Sequence, residues 1–148
     1  MLFQAYLRRG IVYVPTMARR EGGAYTGIEP VALVPVTNAE GIRRSLSDAI
    51  ARKNITVPVP KGKWPQPILL KYAGVKTWSA FARDADIWTI EEKNRNYQIQ
   101  GYQMHRKGYW EPDPNQKIDF AAGTAVDTVI DRLIEILQDT AQRRHSSN

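Results

Sequence analysis

Four acidic residues near the C-terminus recur at every fourth position, a spacing that would place them on the same face of a helix. Residues four apart lie on one face of a helix, so these carboxylates are predicted to form an acidic stripe: Asp127, Asp131, Glu135 and Asp139. Catalytic carboxylate pairs usually face each other across a cleft, whereas a stripe along one helix suits contact with a basic partner. A solvated helix face is the alternative interpretation.

Two further acidic residues, Glu91 and Glu92, stand side by side in the same half of the chain. With three members of the stripe they complete a predicted partner-binding set: Glu91, Glu92, Asp127, Asp131 and Glu135.

Residues able to run a reaction are scarce. The chain has no cysteine, which excludes disulfides, thiolate metal ligands and a cysteine nucleophile. The two histidines, His105 and His145, are too far apart in sequence for a metal cluster of ordinary spacing. No serine elbow or phosphate-cradling loop is present, and Gly22 and Gly23 are predicted to form a turn. We therefore expect no catalytic residue, no metal and no cofactor, and a protein that is not an enzyme.

Positive charge is concentrated in the first half of the chain. Residues 1–74 contain 11 Lys/Arg and 4 Asp/Glu, whereas residues 75–148 contain 10 and 11. A basic region suits nucleic acid or an acidic protein surface. Two groups combine cations with aromatic rings, as single-strand binding requires: Arg8, Arg9, Tyr13, Arg19, Arg20 and Tyr25, and Tyr102, His105, Arg106, Lys107 and Tyr109.

The hydrophobic pattern predicts the order β-β-β-α-β-α-β-β-β-α. Strands are predicted at residues 3–7, 11–14, 28–36, 68–72, 86–91 and 97–104, with a β-bulge near Gly101. The last strand is expected around residues 109–120, interrupted by a turn at 112–115 that contains two prolines. Helices are predicted at about 39–53, from Thr77, and from Val126 onward, where apolar residues recur at helical spacing. Residues 55–67 hold four prolines and read as an extended connector.

These elements indicate a single α+β domain over residues 1–142, followed by a flexible tail at 143–148. The sheet is expected to be mixed or mainly antiparallel, with about three helices packed on it. The chain of 148 residues suffices for one core. No apolar run approaches the roughly 20 residues that span a bilayer. The N-terminus places its charges after a short apolar run, the reverse of a signal peptide, so we expect a cytoplasmic protein without a membrane partner.

Part of the second half resembles small bacterial immunity proteins of toxin–immunity systems, most closely the contact-dependent growth inhibition type. The likeness is carried by a Trp-Ser-X-Phe helix start at 78–81, a Trp-X-Ile strand at 88–90 and a Tyr-X-Ile strand at 97–99. A Val-Ile-X-X-Leu-Ile helix follows at 129–134. All of these are apolar positions, and the resemblance does not extend to the first half of the chain.

The resemblance implies a protein that binds the toxin domain of its own system and blocks it by occluding the active site. Such toxins are often nucleases, and immunity proteins against nucleases are commonly acidic. This chain is instead basic, with a pI near 9.7. Either its acidic surface is local or its toxin is not a typical basic nuclease. A basic nucleic-acid-binding accessory protein is the alternative function.

Overall fold

The computed structural model describes residues 1–105 and 107–146, which form one seven-stranded sheet and four helices. The elements follow one another as β1 (Leu2–Arg8), β2 (Ile11–Arg20), β3 (Tyr25–Pro35), α1 (Ala39–Ala51), β4 (Thr56–Val57), α2 (Leu69–Ala73), α3 (Trp78–Ala82), β5 (Ala85–Lys93), β6 (Asn96–Met104), β7 (Trp110–Asp119) and α4 (Val126–Ser146). The predicted α+β class is confirmed.

The sheet runs in the order β3-β2-β1-β5-β6-β7, and every neighbouring pair in this order is antiparallel. Strand β4 adds a short parallel pairing to the C-terminal end of β2, at Arg19 and Arg20. The sheet is therefore mainly antiparallel, as the short connections predicted. Strand β1 lies near the middle, and its pairing with β5 joins the two halves of the chain.

The two faces of the sheet have separate hydrophobic cores, because side chains alternate along each strand. The covered face carries Phe3, Ala5 and Leu7 and packs against the long helices α1 and α4. The groove face carries Tyr6 and Tyr13 and packs against the short helices α2 and α3.

The predicted strand at residues 68–72 is wrong, since this stretch contains helix α2. Leu69 and Leu70 are both buried although they are adjacent, which a helix lying on a sheet permits. Gly74 ends the helix in the left-handed region, at φ 70°, a conformation that glycine adopts at little cost. The prediction failed because a short apolar run is compatible with both a buried strand and a buried helix. With α2 included, the fold has four helices instead of about three.

Strand β7 also departs from expectation, because the prolines at 112 and 114 lie within it. Its edge position allows this, since an edge strand has backbone groups that need no partner. The register between β6 and β7 shifts between Gln100 and Tyr102, but the extra residues lie in β7, where residues 113–116 face the single residue Gly101. The bulge predicted in β6 is therefore wrong, because Ile99 packs into the core of the covered face and Tyr102 packs against that of the groove face. A Cβ atom on Gly101 would lie 2.6 Å from the Trp88 ring, so glycine is required there. Where the backbone pairing between β6 and β7 is interrupted, the Gln100 side chain connects the two strands by donating to the Asp113 carbonyl at 2.8 Å.

Helix α4 continues through Ser146 and covers most of the stretch predicted as a flexible tail. Near its end the Arg144 guanidinium binds the Asp86 carboxylate, with Nε 2.6 Å from Oδ2. The remaining tail residues, Ser147 and Asn148, lie outside the described residues. The domain boundary at residue 142 stays a prediction.

Candidate interaction surfaces

The acidic stripe predicted on the last helix is present on α4. All four carboxylate side chains are exposed: Asp127, Asp131, Glu135 and Asp139. Two of them are paired within the chain. Asp131 accepts from Arg43 Nε at 2.9 Å, and Glu135 accepts from Arg132 at 3.1 Å. The pairing with Asp131 raises the pKa of Arg43. Part of the negative charge of this face is therefore compensated by the protein itself.

The other two predicted residues, Glu91 and Glu92, lie on opposite faces of the sheet. Trp88 and Ile90 on the same strand point into the core of the covered face, so alternation places Glu92 on that face and Glu91 on the groove face. Burial, together with the charge of Glu92, raises the pKa of Tyr97. The structure thus brings Glu92 to the side of the sheet that α4 covers, and it does not bring Glu91 there.

A polar cavity of about 1390 Å³ opens between the β1–β2 turn and the end of α4. Its charged groups bind one another. Asp84 Oδ2 lies 2.9 Å from Arg9 and 3.8 Å from the buried Arg8, and Asp86 binds Arg144. The hydrogen bond to Asp86 raises the pKa of Arg144. We interpret this network as structural, because it ties helix α4 to the start of β5.

The first of the two basic and aromatic groups is divided by the fold. Tyr13 is a core residue, 4% exposed, and Arg8 and Arg9 pair with Asp84. Only Arg19, Arg20 and Tyr25 keep the character that the sequence suggested. In the second group the rings of His105 and Tyr109 stack, with centroids 4.5 Å apart. Arg106, another member, lies outside the described residues.

A groove opens on the groove face where strands β1 and β2 separate. The two strands pair from Tyr6 opposite Tyr13 to the turn, and beyond Tyr6 they diverge. The Asn54 side chain bridges the gap: Oδ1 accepts from the Leu2 backbone N–H at 2.9 Å, and Nδ2 donates to the Met17 carbonyl at 3.0 Å. Burial raises the pKa of Tyr6, which lies at the floor and donates to Gln4 at 2.6 Å.

The walls of this groove are mostly apolar and enclose about 840 Å³. They come from the β2–β3 hairpin, the proline-rich connector and helix α2, and include Met17, Tyr25, Ile28, Trp64, Pro67 and Ile68. Trp64 is 56% exposed and Tyr25 is 38% exposed. The Arg20 guanidinium lies over the Trp64 ring, 4.7 Å from its centroid. This groove was not predicted from the sequence, although a tryptophan among prolines is a visible signal of an exposed aromatic residue.

Arg20 lines one end of the groove, and two further cations, Lys61 and Lys63, stand in the chain just before Trp64, which also lines it. Arg19 precedes Arg20 at the end of strand β2, so alternation directs its side chain to the other face. No carboxylate among the described residues forms an ion pair with any of these four side chains. The positive charge of the first half is therefore uncompensated here.

Within residues 1–105 and 107–146, no three His, Cys, Asp or Glu side chains come close enough to hold a metal ion. In the same part of the chain, no helix combines the length and the apolar character needed to cross a membrane.

Comparison with protein-family models gives no match, and comparison with curated protein sequences gives none either. Solved structures do match in fold. One is a Neisseria meningitidis protein of unknown function, at 14% identity and a TM-score of 0.64, over 92% of both chains. Another is a chain of the CdiA-CT/CdiI toxin and immunity complex from Yersinia pseudotuberculosis, at 12% identity and a TM-score of 0.63. That match covers 93% of this chain and 95% of the other.

Proposed function

We propose that this protein is an immunity protein, which binds a toxin domain and neutralises it by occluding its active site. The observation that carries the proposal is the likeness in fold to a chain of a toxin and immunity complex, which extends over 93% of the sequence. The motif resemblance at 75–137 supports the same function from the sequence side. Under this proposal the protein acts in the cytoplasm, and its system is of the contact-dependent growth inhibition type.

Neutralisation by binding alone sets physical requirements. A stable protein–protein interface of standard size buries about 800 Å² on each partner. Uncompensated charge beside that interface speeds the encounter with a partner of opposite charge. The groove offers exposed apolar groups next to unpaired cations, and the α4 face offers carboxylates. Glu92, Asp127, Asp131 and Glu135 remain proposed toxin contacts, as does Glu91 from the opposite face.

The experiment is a co-expression test with the C-terminal fragment of the protein encoded immediately upstream of this reading frame, which the proposal takes as the toxin fragment. We expect growth arrest from the toxin fragment alone, restored growth with this protein, and co-purification of the two. Activity of the purified toxin fragment on DNA or RNA should stop on addition of this protein if the toxin is a nuclease. The toxin of the Yersinia pseudotuberculosis complex serves as a non-cognate control and should not be neutralised. Soluble protein that fails to protect, or that arrests growth by itself, contradicts the proposal.

The unpaired cations favour nucleic-acid binding as the second candidate function. Neutralising phosphates releases counterions, so binding should weaken steeply with salt. Fluorescence anisotropy with labelled 20-mer DNA and RNA between 50 and 200 mM salt tests this function. Tight binding at low salt together with no protection against the toxin would favour it over the immunity function.

A further inference from the structure

We infer that the groove is the docking site for an apolar anchor side chain on an acidic segment of the partner protein. The inference rests on the proposed immunity function and names the chemistry of the segment that is recognised. Three observations carry it: exposed aromatic residues at the groove, unpaired cations beside it, and the arrangement of charge along its length.

The exposed aromatic residues give the groove the composition of an interface centre. Tryptophan, tyrosine and arginine dominate binding energy at protein interfaces, and they act from pockets that lose water on binding. Trp64, Tyr25 and Arg20 meet at this groove, with Arg20 already positioned over the Trp64 ring. An incoming apolar side chain would bury the exposed half of Trp64 against the walls.

The unpaired cations define the charge of the segment. Lys61 and Lys63 are exposed, and like Arg20 they have no ion-pair partner among the described carboxylates. Carboxylates that flank the anchor would complement this charge and speed the encounter.

Nucleic acid fits the groove less well than an acidic peptide segment. A bound strand needs cations that follow its backbone and aromatic faces on which bases stack. Here the cations occupy one end, while Glu29 lines another part of the groove, held by Lys71 at 2.6 Å. One face of the Trp64 ring is covered by Arg20, and one face of Trp78 stacks on Phe81 with centroids 5.2 Å apart, which leaves fewer ring faces for bases.

The α4 face has carboxylates but no anchor. Among the described residues, none of the exposed large apolar side chains lies on α4. Asp131 and Glu135 are partly compensated by Arg43 and Arg132. The groove is therefore the better candidate for the docking site.

The test measures the affinity and the association rate of purified variants for the toxin fragment that protection by the wild-type protein identifies in the co-expression test. Trp64→Ala should weaken binding at least about tenfold, mainly through faster dissociation. Tyr109→Ala is the matched control, because Tyr109 is 51% exposed and lies outside the groove. It should bind within about twofold of wild type. Thermal unfolding shows whether Trp64→Ala is folded. If it is not, Tyr25→Ala tests the groove in its place.

The charge test compares two double variants with the same spacing. Lys61→Glu with Lys63→Glu should slow association at low salt at least about tenfold. Lys93→Glu with Arg95→Glu, on the β5–β6 turn, makes the same change in net charge outside the groove. It should have a clearly smaller effect, and added salt should narrow the difference.

The failures are distinguishable. Wild-type protein that neither binds nor protects contradicts the immunity function itself. Wild-type protection with unchanged binding by both groove variants overturns only the docking site. Loss of binding in Asp127→Lys with Glu135→Lys, with the groove variants unaffected, places the interface on α4 and also overturns the inference. Toxin binding that survives Lys61→Glu with Lys63→Glu, while binding to labelled RNA or DNA is lost, shows that the cations serve nucleic acid.

Discussion

The two faces of the sheet are covered to very different extents. The covered face packs against α1, of 13 residues, and α4, of 21 residues, and its core is continuous from Phe3 to Leu137. The groove face packs against two helices of five residues each and a proline-rich connector. Short helices cannot span the width of a sheet, so aromatic and apolar side chains stay partly exposed. The covered face therefore holds the larger core, and the groove face combines a smaller core with a surface left for a partner.

The largest expected effect comes from opening the covered face. Leu133 is 1% exposed on α4, and Leu133→Ala should lower the free energy of unfolding by about 2–5 kcal/mol, because it leaves a cavity. Leu33→Ala is the control, since Leu33 is 42% exposed on the edge strand β3. It should change stability by about 0.5 kcal/mol or less. Equal midpoints in urea unfolding for the two variants would contradict a stabilising core on the covered face.

A smaller effect is expected at the groove itself. Asn54→Ala removes the bridge between the diverging strands and leaves the Leu2 and Met17 backbone groups without their side-chain partner. We expect a loss of about 1–3 kcal/mol in urea unfolding. Asn115→Ala, at an exposed position in β7, should be nearly neutral. No loss in the Asn54 variant would show that the groove keeps its shape without this bridge.

The smallest effect concerns the ion pair at the groove wall. Hydrogen bonds from Lys71 and Tyr72 lower the pKa of Glu29, so Lys71→Ala should raise it toward the usual carboxyl value. A lowered folded pKa stabilises the protein above the unfolded pKa, and this contribution disappears as the pH falls through the folded pKa. The groups are exposed, so the change in stability should be small. An NMR titration of Glu29 checks the shift, with Lys76→Ala as the control that should leave it unchanged.

Much of the fold could be predicted because its signals are local. Val129, Ile130 and Leu133 recur at helical spacing and bury one side of α4, and the core strands β1, β5 and β6 alternate. The apolar pattern does change face at Gly101, but no bulge in β6 restores it, because Tyr102 lies on the groove face and the irregularity is in β7. The acidic stripe followed from its spacing, although its partners Arg43 and Arg132 did not.

Helix α2 and the groove could not be predicted in the same way. Leu69 and Leu70 are compatible with strand or helix, and only packing against the groove face decides between them. Pairing of Arg8 and Arg9 with Asp84 removed two cations from the expected basic surface. These contacts join residues 75 or more positions apart, so no local pattern reports them.

The sequence by itself determined the α+β class, the last helix and the unequal distribution of charge, because each depends on neighbouring residues. Only the tertiary structure decided which charges stay unpaired and where apolar side chains remain exposed. Pairing and burial depend on distances between remote segments, and those exist only once strands β1 and β5 join the two halves of the chain. For this reason the groove between β1 and β2 joins the acidic helix as a candidate site only once the tertiary structure is known.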